Sequence, residues 1–440
     1  MPDSYSLTAV RGPLLHFTDN PFVVDEQNAC EHVPDGMLVL NKGRIIDTGP
    51  ADDVRKRHPQ LTAVEDFGRN SLIMPGFVDV HSHYSQTHII GAYGEQLLDW
   101  LNRYTFPEEM KFADHQYASA VADTFLNQLL SNGTTTAMVF ATSHPVSVDA
   151  FFEQAQQRNL RMIAGKVLMD RNAPSALCDT PESAYHDTKR LINTWHRKPG
   201  TRLEYAITPR FAPTSSDAQL EMAGRLKREH PDVAVQSHLS ENRKEVQWVA
   251  ELFPDCEGYL DVYDQHRLVT DRSVFAHCIH TTDAEVERLA AARSAIAFCP
   301  TANLFLGSGL FDLRRATDAG ISIGLGTDIG AGTSFSMLQT MGEAYKVAQL
   351  QQQSLSAIQA FYLATLGGAR ALKLDDRIGS FTIGKEADFI VLNLQATPLL
   401  DSRMQQTTTL EERLFVLMTL GDDRTVQHTF VHGTPIRAVS

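Results

Sequence analysis

Ile73-Met74-Pro75-Gly76-Phe77-Val78-Asp79-Val80-His81-Ser82-His83 is an apolar run closed by two histidines. It reads as a buried strand. Side chains alternate faces along a strand, so residues two apart point the same way. His81 and His83 then project together from the strand end, spaced to hold one metal ion. Alone, an H-x-H pair is equally well read as two surface or turn histidines. The rest of the chain decides between these readings.

Downstream, apolar strand patterns recur at residues 134–140, 161–168, 203–207, 234–237, 273–276, 294–298 and 321–326. With 73–80 they make eight. Amphipathic segments such as 117–130, 218–229 and 283–292 separate them, with apolar residues three and four apart. Eight strands alternating with helices predict an α/β fold, a (β/α)8 TIM barrel, spanning residues 71–375. No Gly-rich fingerprint follows the first strand, so a dinucleotide fold has no support. Short strands and turns occupy residues 1–70, with a hairpin pattern around Asn41-Lys42-Gly43-Arg44. Matching strands recur in 376–440, at Phe389-Ile390-Val391-Leu392 and Thr429-Phe430-Val431. The two chain ends are therefore expected to build one small β-sandwich domain.

Barrels carry their functional groups at the C-terminal ends of the strands. The first candidate strand ends in His81 and His83, the fifth in His238 with Glu241 just beyond it, the sixth in His277 and the eighth in Asp328. Four imidazoles and a carboxylate converge on one rim. This nitrogen-rich set, with one oxygen donor and no sulfur, suits Zn2+ or Fe2+ and argues against Ca2+ or Mg2+. Such a site activates water. Asp328 can touch the metal and accept a proton, although a turn aspartate is the plainer reading of Gly326-Thr327-Asp328-Ile329-Gly330. Glu241 is placed as a proton carrier to the substrate, or else as a helix N-terminal acid. His280, His88 and His144 are read as loop histidines without a ligand role. Cys278 and Cys299 are read as small apolar packing groups.

Bulk properties narrow the class. The 440 residues carry a formal net charge of −14 and no basic run, which disfavours nucleic-acid binding. No stretch of about 18 apolar residues suggests a membrane span, and the first six residues lack the pattern of a signal peptide. The five cysteines are scattered and form no C-x-x-C, so neither disulfides nor a thiolate zinc knot is expected. A cytoplasmic location is the default expectation.

Pro75-Gly76-Phe77-Val78-Asp79-Val80-His81-Ser82-His83 resembles the strand-one signature of the metal-dependent amidohydrolase superfamily, and the later His, His and Asp fall in that family's order. Gly384-Lys385-Glu386-Ala387-Asp388-Phe389 resembles its return into the β domain. Several further segments resemble the guanine deaminase group within it. They are Tyr93-Gly94-Glu95-Gln96-Leu97-Leu98-Asp99-Trp100-Leu101-Asn102, Tyr104-Thr105-Phe106-Pro107, Gly133-Thr134-Thr135-Thr136-Ala137, Gly165-Lys166-Val167-Leu168-Met169-Asp170-Arg171-Asn172, Thr208-Pro209-Arg210-Phe211-Ala212-Pro213 and His238-Leu239-Ser240-Glu241-Asn242.

The resemblance implies that His81, His83, His238 and Asp328 bind one zinc and that His277 contacts the reacting water or a substrate oxygen. It further implies that Gln86, Trp100, Arg210 and Phe211, with His238 and Glu241, meet a guanine ring, which loses its amine to give xanthine and ammonia in purine catabolism. The plainer readings are a rim ion pair for Arg210 and loop packing for Trp100 and Phe211. Thr208-Pro209-Arg210 offers no lysine to bridge a second metal, so one metal is expected. Lys166 is read as a salt-bridge partner inside the barrel. A homodimer is likewise implied by the resemblance. The rival readings are a deaminase of a related aminated ring, such as 8-oxoguanine or a triazine, and a non-catalytic scaffold.

Overall fold

The computed structural model describes residues 7–94 and 96–436; Glu95, within one of the resembling segments, and the first six residues lie outside them. The run that opened the reading is two strands rather than one, and they belong to different sheets. Ser71–Pro75 pairs with the chain-terminal strands, whereas Phe77–His83 starts the barrel. The break falls where Pro75 lacks an amide hydrogen and Gly76 passes close to its neighbour. A Cβ on Gly76 would sit 2.2 Å from Thr135 Oγ1, so a side chain there would force the two sheets apart.

The first sheet takes β1 (Thr8–Phe17), β2 (Cys30–Asn41), β3 (Arg44–Pro50), β4 (Val64–Asp66) and β5 (Ser71–Pro75) from the N-terminal side. The barrel follows with β6 (Phe77–His83), β7 (Thr134–Phe140), β8 (Arg161–Gly165), β9 (Val167–Leu168), β10 (Glu204–Pro209), β11 (Ala234–Leu239), β12 (Ser273–His277), β13 (Ala295–Phe298) and β14 (Ser322–Leu325). The chain then returns to the first sheet through β15 (Phe389–Asn393), β16 (Val426–Val431) and β17 (Thr434–Ile436). The first sheet runs β17-β16-β15-β5-β1-β2-β3, with β4 beside β1. It curls until β3 meets the 385–387 segment, where Ile45 N donates to Lys385 O. Val10, Leu38, Ile45, Ile73, Phe389 and Phe430 share the core inside that curl.

The barrel strands are parallel and neighbour one another in chain order. The predicted 161–168 strand is interrupted at Lys166, whose amide donates to the side-chain Oη of Tyr205 on β10 instead of to a backbone carbonyl. Closure joins β14 to β6: Asp328 N donates to His81 O at 2.9 Å and His83 N to Ile329 O at 3.2 Å. Met138, Phe140, Ile163, Ala206, Ala276 and Ala297 fill the interior. Their strand neighbours Val139, Met162, Ile207, Phe275 and Ile296 pack in a separate core with Phe125, Phe151, Leu226 and Leu289 from the surrounding helices. This is the period-two alternation of a strand covered on both faces.

Candidate active site

The rim at the C-terminal ends of the strands gathers the residues singled out from sequence. One ligand atom from each of His81, His83, His238 and Asp328 lies within 4.8 Å of all the others. Asp328 Oδ1 stands 3.3 Å from His81 Nε2 and 3.4 Å from His83 Nε2. His83 Nε2 and His238 Nε2 are 3.2 Å apart. Left-handed backbone at His277 (φ 71°) and Asp328 (φ 52°) turns the chain sharply at the strand ends. Such strain in non-glycine residues persists only where surrounding structure holds it.

These donors fit a cation. Among the described residues His81 Nε2 and His277 Nε2 are buried without a hydrogen-bond partner, a costly state unless something else satisfies them. His238 Nδ1 is 2.6 Å from Arg210 O, a bond it can only donate, which leaves the Nε2 lone pair facing inward. Burial, reinforced by His81, pushes the His83 imidazole down to about 3, with Asp328 opposing. Burial and the neighbouring imidazoles also hold His238 well below its ordinary value. Both rings are thus neutral, as metal ligation requires. Burial alone would raise Asp328, but contact with His81 and His83 and charge from His81 and His277 hold it well below the usual carboxylate range.

Beside this cluster lies a cavity lined by Gln86, Trp100, Arg210, Phe211, Glu241 and His277, among others. Glu241 is buried, accepts a hydrogen bond from Ser308 Oγ at 3.1 Å, and lies 3.5 Å from His277 Nε2. Burial and the charge of Asp328 push its carboxyl up to about 8. At neutral pH it therefore carries a proton it can donate. His277 Nδ1 meets Asn303 Oδ1 at 2.8 Å, which orients Nε2 toward the cavity. Gln86 Oε1 accepts from Gly330 N at 3.3 Å.

Sequence reasoning missed the residues that hold these groups. Asp79, fully buried, accepts from Thr327 N at 3.0 Å and His81 N at 3.2 Å, which ties the two ligand-bearing strands together. Glu245 accepts from the amides of Glu241 (2.9 Å) and Asn242 (3.0 Å) while capping the helix Arg243–Leu252. The N-x-x-E spacing of Asn242 and Glu245 was a readable capping signal. Glu109, 0% exposed, pairs with Arg210, and no local pattern announced it. Leu97, Trp100 and Leu101 cover the cavity. Gln96 latches their segment down, donating to Leu306 O at 3.3 Å and accepting from Asn242 Nδ2 at 3.1 Å.

The other sequence candidates, Cys299 excepted, are not part of these ligand groups. Lys166 is buried and paired with Asp179. His280 Nε2 meets Ser308 O at 2.9 Å, and His88 Nδ1 meets Tyr117 Oη at 3.1 Å. Among the described residues His144 Nε2 is buried without a partner. Cys278 is buried among apolar side chains, whereas the buried Cys299 Sγ lies within 4.8 Å of ligand atoms of His277 and Asp328, at the edge of the cluster; all five cysteines are free.

Comparison with known proteins agrees with this geometry. The sequence profile of the amidohydrolase family matches residues 72–436. This chain belongs to the amidohydrolase family. Within that family it is 53% identical over 436 residues to the guanine deaminase of Escherichia coli (strain K12), covering 98% of each chain. A solved structure of E. coli guanine deaminase superposes with a TM-score of 0.94 at 51% identity, covering 99% of both chains. Guanine deaminase from C. acetobutylicum, solved with guanine in its active site, gives a TM-score of 0.88 at 32% identity, covering 98% of this chain and all of that one. The resemblance read from the strand-one motif thus extends along the whole chain.

Proposed function

We propose that this amidohydrolase is a guanine deaminase, which hydrolyses the exocyclic C–N bond of guanine to give xanthine and ammonia. The observation that carries the reading is a single cavity joining a purine-recognising wall to a proton-carrying carboxyl above the His/Asp cluster. Full-length similarity to guanine deaminases supports it.

One zinc per subunit, held by His81, His83, His238 and Asp328, fits the nitrogen-rich donor set. When bound, it supplies Lewis acidity that lowers the pKa of a water toward neutrality. Everything else falls to the side chains. Asp328 accepts the proton of the attacking water, and His277 Nε2 orients that water toward the ring carbon bearing the amine. Glu241 delivers its proton to a ring nitrogen, which makes that carbon more electrophilic. The carbon becomes tetrahedral, the proton held by Asp328 passes to the amine, and the C–N bond breaks to release ammonia as the new hydroxyl returns a proton to Glu241 and becomes the carbonyl of xanthine. Arg210 and Gln86 hydrogen-bond the polar edge of guanine, and Phe211 and Trp100 pack on its faces. A pocket built on such bonds rejects rings that lack a partner group by roughly 10⁴-fold. With Lys166 committed to Asp179, a single metal suffices. A homodimer is the expected assembly, checked by light scattering. No described helix is long and apolar enough to cross a membrane.

The test is guanine turnover by purified, metal-quantified protein, followed by loss of ultraviolet absorbance and release of ammonia. Chelation should abolish turnover and zinc restore it. Undiminished turnover by the stripped protein would sink the scheme, and preference for another aminated ring would reassign the substrate.

A further inference from the structure

Arg210 does not face the cavity as a free cation. Both carboxylate oxygens of Glu109 lie 2.8 Å from its Nη1. Glu109 is completely buried, with Ser85 Oγ donating to it at 3.4 Å, and the Phe106 ring lies 5.6 Å from the guanidinium carbon. A carboxylate is a costly group to bury behind a binding pocket. An amide oxygen could also accept a hydrogen bond from Arg210 Nη1. What only a carboxylate adds is cancellation of the charge.

Deamination changes the charge character of the ring, which gives that cancellation a purpose. Guanine is a neutral base whose amine-bearing carbon is part of an amidine. Once the amine is replaced by a carbonyl, the ring N–H becomes an imide, and its conjugate base spreads over two carbonyl groups. The product is therefore the more acidic ring and the more readily anionic one. An unpaired guanidinium in a dry pocket would hold that anion tightly.

We propose that Glu109 is a specificity-determining residue: by cancelling the Arg210 charge it makes the pocket favour the neutral aminated ring over the anionic imide product, and so allows the product to leave. This rests on guanine being the substrate. Burial pushes the Glu109 carboxyl up and Arg210 opposes the rise; the pairing itself stands on the geometry, with both carboxylate oxygens on Nη1. The remaining titratable groups facing the cavity are His83, His238, His277, Glu241 and Asp328. On the segment carrying Glu109, Glu108 is paired with Lys111 and Tyr117 and has His88 at 3.5 Å. All of these stay unchanged in the variants used as tests.

The experiment measures product inhibition of the zinc-loaded enzyme by xanthine, on both sides of xanthine's first ionisation, with hypoxanthine as a neutral control. In Glu109→Gln, xanthine inhibition should tighten roughly tenfold relative to the unmodified protein once xanthine is ionised, with hypoxanthine unaffected. Glu109→Asp, which keeps the charge one methylene farther from Nη1, should tighten a few-fold. It supplies the same readout if the Gln variant does not fold. A xanthine profile like that of the unmodified protein, or equal tightening for both rings, overturns the proposal. Failure of the unmodified protein to deaminate guanine would instead defeat the substrate assignment, so the two failures are distinguishable.

Discussion

Two clusters of buried charge sit at opposite ends of the barrel strands, and they are built on opposite rules. At the C-terminal rim, His81 Nε2 and His277 Nε2 are buried without partners among the described residues, and the imidazoles of His81, His83 and His238 crowd together. At the N-terminal end, Arg161 and Arg202 precede or begin their strands and turn toward the chain-terminal sheet. Glu386 accepts from Arg161 Nε at 2.8 Å and Arg202 Nη1 at 2.7 Å, while Asp388 takes Arg202 Nη1 at 2.6 Å and His432 N at 2.7 Å. The first cluster leaves binding capacity for a cation and a substrate. The second uses most of its capacity in joining the small sheet to the barrel, although Arg202 Nη2 is buried there without a hydrogen-bond partner among the described residues. In a barrel, chemistry gathers at the C-terminal face and stability at the other, and partner satisfaction is how that division shows here.

Substitutions should separate the two ends. Glu241→Gln is expected to lower kcat by about 10²–10⁴-fold while retaining metal and thermal stability; steady-state kinetics with metal analysis checks it. An unaffected kcat would remove the proton role of Glu241. Glu386→Gln should do the reverse, costing roughly 3–5 kcal/mol of stability because two buried guanidinium groups lose their shared charge partner. Turnover per folded molecule should hold, as denaturant unfolding and active-site titration would show.

Acid should expose the same cluster. Burial alone would raise the Glu386 carboxyl, but hydrogen bonding and charge from Arg161 and Arg202 hold it below its ordinary value of 4.5. A carboxylate with a depressed folded-state pKa stabilises above its unfolded value and loses that contribution as pH falls through the folded one. Tm should therefore drop as the pH goes below about 4.5, and this component should be missing from Glu386→Gln; identical acid limbs would contradict it. The smallest effect belongs to the latch. Gln96→Ala removes hydrogen bonds of about 1 kcal/mol, so KM for guanine should rise about fivefold with Tm unchanged.

Much of this was legible in the chain. The strands came through because each is a short apolar run between helical patterns, and residues 134–140 match β7 at both ends. The strand-end histidines came through because period-two alternation and strand order place them on one rim. Arg210 had two competing readings, rim ion pair or pocket wall, and the structure shows it paired with Glu109 while lining the cavity. The division of residues 71–83 between two sheets was not legible, because apolarity is the same on both sides of Gly76. Glu109 stayed hidden because its partner is 101 residues away along the chain.

Sequence by itself determined the elements, their order and the chemical identity of the rim, since local periodicity and residue type are written along the chain. Only the tertiary structure decided which buried charges are satisfied and which are left open. That depends on groups brought within about 3 Å by closure of β14 on β6 and by docking of the small sheet, and no local pattern encodes those distances.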